Sequence, residues 1–178
     1  SEMFDSCTDF NQSLENWDTS SLKEARGMFK NNEQMAFDWA IENWDTGKLV
    51  NAQSMFERCT QFNRPIGNWD VHDISYCKFM FKDCVNFNQP LTDWTLSPNT
   101  MEGMFQNCQR FNQPVNHFYV TNVNNFDSVF EGASNFNQPL NKWKLRFPCA
   151  CRKMLKQCLS FQQALPTIFF YSKAFLNH

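Results

Sequence analysis

Residues 55–81 read MFERCTQFNRPIGNWDVHDISYCKFMF, and the pair that opens this stretch, Met55-Phe56, returns at its end as Met80-Phe81. The pair also stands at Met3-Phe4, Met28-Phe29 and Met104-Phe105, then in altered form at Val129-Phe130 and Met154-Leu155, at separations of 25, 27, 25, 24, 25 and 25 residues. Behind each pair the same positions recur. A small residue usually comes three places on (Cys7, Cys59, Cys84, Cys108, Ala133, Cys158), then a phenylalanine (Phe10, Phe62, Phe87, Phe111, Phe136, Phe161). The phrase FNQPLTDW at 87–94 comes back as FNQPLNKW at 136–143. A fixed period in the twenties is too short for the paired helices of most helical repeats, and it fits a stack of strand-bearing coils.

Within one unit the pattern changes twice. Phrases such as LENWDT, LTDWTL and LNKWKL put an aromatic and the residue two later on one face of an extended segment. The aromatic column is Trp17, Trp44, Trp69, Trp94, Phe118 and Trp143. Leu22, Ala25, Met28, Phe29 and Asn32 then step by three and four, the spacing of a helix's buried stripe. Pro65, Pro90, Pro114 and Pro139 lack an amide donor, which suits a return bend. The expected fold is an α/β repeat solenoid, leucine-rich-repeat-like, of about seven coils, each a short parallel strand plus a short helix. Residues 1–178 read as one such domain, with 144–178 as a degenerate C-terminal capping region, because KLRFPCACRKML replaces the regular passage there.

The unit at 55–81, with its MF, Cys, FN-x-P, Trp-Asp and closing MF, resembles the roughly 25-residue repeat of BspA-type leucine-rich-repeat surface proteins. That mycoplasma-type surface repeat also occurs in algae, protists and large DNA viruses. The resemblance implies an extended binding or adhesive scaffold at a cell or virion surface. It implies no shared chemistry.

Composition narrows the function classes. A net charge of −2 gives no nucleic-acid footprint, and no apolar run approaches membrane-spanning length. Three histidines, none in a nucleophile pattern, and five glycines without a phosphate-cradling loop point away from catalysis and from a bound cofactor. Cys149, Cys151 and Cys158 lack zinc-ligand spacing, so no metal is expected. The eight cysteines fall mostly in a column that also accepts Ala133. They are therefore expected as packed free thiols, a weak pointer to assembly in a reducing compartment. A sugar platform on the tryptophan row is disfavoured, because those rings occupy inward positions.

The outward positions of the extended segment are the candidate binding face: Asp18, Asp45, Asp70, His72, Asp93, His117, Tyr119, Lys142, Lys144 and Arg146. This face passes from acidic to basic along the chain. Its stacked aspartates either bond to backbone at their own turns or await a cation or basic partner. Ile168, Phe169, Phe170, Phe175 and Leu176 crowd the C-terminal stretch as a candidate cap or docking segment. The expected function is a non-enzymatic repeat scaffold for protein–protein interaction or adhesion at a cell or particle surface. The alternative is a structural component of a virion or other large assembly or lattice, packing through its ends and this face.

Overall fold

The computed structural model describes residues 2–7, 10, 12–33, 40–146 and 148–165. Among them the backbone forms no helix and no continuous strand. Parallel pairing is confined to isolated bridges joining Glu24 to Asn51, Asn51 to Tyr76, Tyr76 to Thr100, and Asn125 to Ala150. The α/β, leucine-rich-repeat-like architecture of strand plus helix is therefore not what the chain builds. Each unit is instead a coil made of successive tight turns.

The third unit shows how. Met55, Glu57 and Cys59 donate their amides back three residues, to the carbonyls of Ala52, Ser54 and Phe56 at 3.1, 3.2 and 2.9 Å. The amides between them point the other way. Ser54, Phe56 and Arg58 donate to Lys78, Met80 and Lys82 of the next coil at 2.9, 2.9 and 2.8 Å. An α-helix would direct every amide along its own axis to the residue four back. Here alternate amides point out of their own coil to the next one, and the backbone achieves this with positive φ at Ser54 (54°) and Arg58 (63°). Those are third positions of the turns 52–55 and 56–59, each overlapped by the turn 54–57 between them, where the type II turn requires positive φ.

The same two left-handed positions recur as Gly27 and Asn31, Phe79 and Asp83, Gly103 and Asn107, Ser128 and Gly132, and Lys153 and Gln157. The inward stripe that looked helical is thus real, but a chain of turns produces it. A non-glycine residue in this conformation costs about 1–2 kcal/mol. The intercoil hydrogen bonds that it permits, each worth about 0.5–1.5 kcal/mol net, offset much of that.

Glycine is needed where the preceding coil also crowds the site. At Gly103 (φ 56°) a Cβ would lie 2.3 Å from the Phe79 ring of the preceding coil. Gly103→Ala is expected to lower stability by about 1–2 kcal/mol from backbone strain alone, measured as a shift in denaturant midpoint. Unchanged stability would mean that the left-handed turn is not fixed there.

The core is a set of aromatic columns. Phe29, Phe56, Phe81, Phe105 and Phe130 stack at centroid spacings of 5.6–5.7 Å. Phe62, Phe87, Phe111 and Phe136 form a second column at 5.6, 5.9 and 6.1 Å. Trp44, Trp69, Trp94, Phe118 and Trp143 are buried as expected from the alternation. Trp17 departs from it: 42% of its surface is exposed, although its ring stacks 6.4 Å from that of Trp44. It lies in the first described coil, where the following coil's Trp44 ring covers one of its faces.

Side chains tie the coils together where the backbone does not. In the segment expected to form a strand ladder, indole N–H groups bridge neighbouring coils. Trp44, Trp69, Trp94 and Trp143 donate Nε1–H to the carbonyls of Leu14, Ile41, Ile66 and Val115 at 2.9–3.2 Å. The cysteine column works alike. The Sγ atoms of Cys59, Cys84, Cys108 and Cys158 donate to the carbonyls of Phe29, Phe56, Phe81 and Phe130 at 2.8–2.9 Å. Asn32 takes the same place in its coil, donating Nδ2–H to Phe4 at 2.8 Å. An asparagine ladder completes the set: Asn63, Asn88, Asn112 and Asn137 each accept, through Oδ1, the amide of the equivalent residue one coil on, all at 2.9 Å.

Candidate interaction faces

From the aromatic column onward, buried and exposed residues alternate. Trp69 and Val71 are buried while Asp70 and His72 face solvent, and Trp143 and Leu145 are buried while Lys144 and Arg146 face solvent. All ten candidate face residues, Asp18 through Arg146, are exposed. The segment is extended without being a ladder strand, so its period of two survives the correction to the fold.

The aspartates hold their own turns. Asp18 Oδ1 accepts the amide and hydroxyl of Ser20 at 3.0 and 2.6 Å. Asp45 Oδ1 accepts the amide of Gly47 at 3.2 Å. Asp70 Oδ1 accepts the amide of His72 at 3.2 Å and lies 2.6 Å from His72 Nδ1. Of the two readings left open by the sequence, the turn-bonded one describes these three residues. The Ser20 hydroxyl and amide hold the Asp18 carboxyl below its ordinary value. The His72 side chain does the same for Asp70. In return Asp70, and then Asp73 at 3.3 Å, raise the His72 imidazole.

His117 has a structural task as well as an exposed one. Its unit carries Phe118, which has no indole donor, in the tryptophan column. His117 Nε2 lies 2.9 Å from the Leu91 carbonyl and makes the bridge that Nε1 makes elsewhere. His117→Ala is expected to cost about 1 kcal/mol, the net worth of one such bond. Adding Phe118→Trp should restore it, read by denaturant unfolding. If the second change does not rescue the first, the two side chains are not equivalent donors.

A second face escaped the sequence reading, although its signal was there. The residue just after each anchor is Asp5, Lys30, Glu57, Lys82, Gln106, Glu131 and Lys156. The charges alternate along this row, broken at Gln106. Lys30 Nζ is 3.3 Å and Lys82 Nζ 3.8 Å from Glu57, and Gln106 Nε2 donates to Glu131 at 2.9 Å. Lys78, one column away, reaches Glu102 at 2.8 Å. The row lies over the left-handed turns, on positions that the core stripe leaves outward.

Among the described residues no group of three or more His, Cys, Asp or Glu side chains could hold a metal ion, and no helix is long and apolar enough to cross a membrane. The candidate cap, Ile168, Phe169, Phe170, Phe175 and Leu176, lies outside the described residues. No curated protein and no solved structure is significantly similar to the chain. The family described as "Mycoplasma protein of unknown function, DUF285" matches residues 1–100 and again 95–169. With nearly the full length matched, and a turn-built repeat running through it, the chain belongs to DUF285, the repeat family of BspA-like surface proteins.

Proposed function

We propose that the chain is a non-enzymatic scaffold that mediates protein–protein interaction or adhesion at a cell surface. The observation that carries this reading is the division of labour in the extended segment. Inward positions are committed to the aromatic core, and outward positions carry charge that runs from Asp18, Asp45 and Asp70 to Lys142, Lys144 and Arg146. Such a bipolar face can steer and orient a partner of complementary charge.

Particles coated with the chain should adhere to intact cells, and adhesion should fall after protease treatment of those cells but not after glycosidase treatment. Reversing Lys142, Lys144 and Arg146 together to glutamate should reduce adhesion roughly tenfold or more with the unfolding midpoint unchanged. Full adhesion by the reversed variant would exclude this face. Sensitivity to glycosidase alone would replace the protein partner with a sugar.

A further inference from the structure

Five of the eight thiols donate to a carbonyl of a neighbouring coil. Cys59, Cys84, Cys108 and Cys158 do so at 2.8–2.9 Å, and Cys77 donates to Thr100 at 3.2 Å. Cys151 occupies the column of Cys77, three places before the anchor, yet its sulfur is placed differently. It lies 3.5 Å from Cys149 Sγ, and the carbonyl it reaches, that of Cys149, is 3.9 Å away.

The sequence makes this pair in one coil. Residues two apart on an extended stretch turn to the same side, and here both are cysteine. The equivalent pairs are Lys23 and Ala25, Val50 and Ala52, Ser75 and Cys77, Asn99 and Met101, and Asn124 and Phe126. Backbone bonds hold the residue between the two sulfurs. The Ala150 amide donates to Asn124 at 3.0 Å, and its carbonyl accepts the Phe126 amide at 2.7 Å. Cys151 is buried and Cys149 half-buried. Burial raises both thiols, while the contact between them works against that rise at Cys149 and adds to it at Cys151. Cys149 is therefore the sulfur that ionises first. Two thiols do not make a zinc site, and among the described residues no third His, Cys, Asp or Glu completes one.

We propose that Cys149 and Cys151 form a reversible disulfide site, closed and opened by exchange with a small-molecule disulfide of the glutathione type. The Cys149 thiolate attacks one sulfur of the oxidised molecule, forming a mixed disulfide and releasing one thiolate. Cys151 then loses its proton, attacks the Cys149 sulfur and releases the second. Two electrons leave the pair, and the small disulfide becomes two thiols. The sulfurs must approach by about 1.5 Å to reach the ordinary bond length of about 2.0 Å. Side-chain rotation supplies that movement, because the Ala150 amide and carbonyl are both bonded to the preceding coil. A small ring closed over a pinned backbone is strained, and a strained disulfide is readily reduced.

The experiment treats the folded full chain with mixtures of reduced and oxidised glutathione, stops exchange with acid and blocks the remaining thiols. It reads intact mass and the tryptic peptide 147–152, released by cleavage after Arg146 and Arg152. The unaltered chain should lose two hydrogens within that peptide and regain them as the mixture is made more reducing. Cys151→Ala gives this column the residue that Ala25 and Ala52 already place there. It should keep one glutathione on Cys149, at a level roughly tenfold or more above that of the unaltered chain, where a second thiol waits in contact. Cys149→Ser, the residue that Ser75 supplies at the same position, should show neither change. A lasting glutathione adduct on Cys149 of the unaltered chain, or a bond from either sulfur to a different cysteine, would overturn the proposal. So would no oxidation in oxidised glutathione alone, or a bond that survives a large excess of reduced glutathione.

Discussion

Alkali is expected to unfold this chain within about one to two pH units above the ordinary thiol value. Cys59, Cys77, Cys84 and Cys108 are fully buried. Burial raises every one of their thiols above the ordinary 9.0, Cys77 to about 12. The folded chain thus holds protons that the unfolded chain releases once pH passes 9.0. Stability from this source is complete below that value and is lost as pH rises toward the folded values. Each thiol removes about 1.4 kcal/mol per pH unit, so four together remove on the order of 5 kcal/mol per unit. An ordinary domain has only about 5–15 kcal/mol in total.

The measurement is ellipticity and tryptophan emission across an alkaline titration, with reversal on return to neutral pH. A parallel readout is thiol labelling near neutrality. A shift to about 12 lowers the thiolate of Cys77 roughly thousandfold, so labelling should be slow until denaturant is added. A chain native well beyond about pH 11, or rapid labelling of all four thiols in the folded state, would show that these sulfurs are not buried as described.

Phe81→Ala should be the most damaging single truncation. The Phe81 ring is fully buried and lies 5.7 Å from both Phe56 and Phe105, 4.4 Å from Phe87, and 6.1 Å from Trp94. Replacing it by alanine removes contacts to the coils before and after it, for a loss of about 3–5 kcal/mol. In a stack where each coil touches only its neighbours, the junction term is what couples the two halves. Urea unfolding should therefore become less cooperative and separate into two steps. Phe81→Leu, which keeps most of the volume, should cost less than about 1.5 kcal/mol and preserve one step. A loss below about 1 kcal/mol for alanine would mean that the column collapses to fill the gap.

Several parts of this structure were legible in the residues. The period, the inward tryptophan and phenylalanine columns, and the outward position of Asp45, His72 or Lys144 all follow from hydrophobic spacing. Spacing reports which side chain turns inward, and burial of large apolar groups dominates that choice. The aspartate turns were one of the two readings the residues offered, since short polar side chains bond to nearby backbone, and the asparagine ladder rests on the same chemistry. The charge row from Asp5 to Lys156 was equally visible in register, but its meaning required knowing that those positions are stacked.

What spacing does not encode is the backbone torsion that turns a side chain inward. Ala52, Met55, Phe56 and Cys59 face the core with steps of three and one whether the chain is a helix or overlapping turns. Among the described residues only three of the left-handed positions are glycine, and residues such as Arg58, Phe79 and Ser128 have no local preference for positive φ. They are held there because a neighbouring coil presents carbonyls to alternate amides, as Met80 does to Phe56. That acceptor exists only once the coils are stacked. The sequence by itself determined the repeat and its inner and outer faces, because these depend on side-chain hydrophobicity. The routing of the backbone hydrogen bonds, and with it the one-way polarity of the turns, was decided by the tertiary structure, because half of the partners come from the adjacent coil.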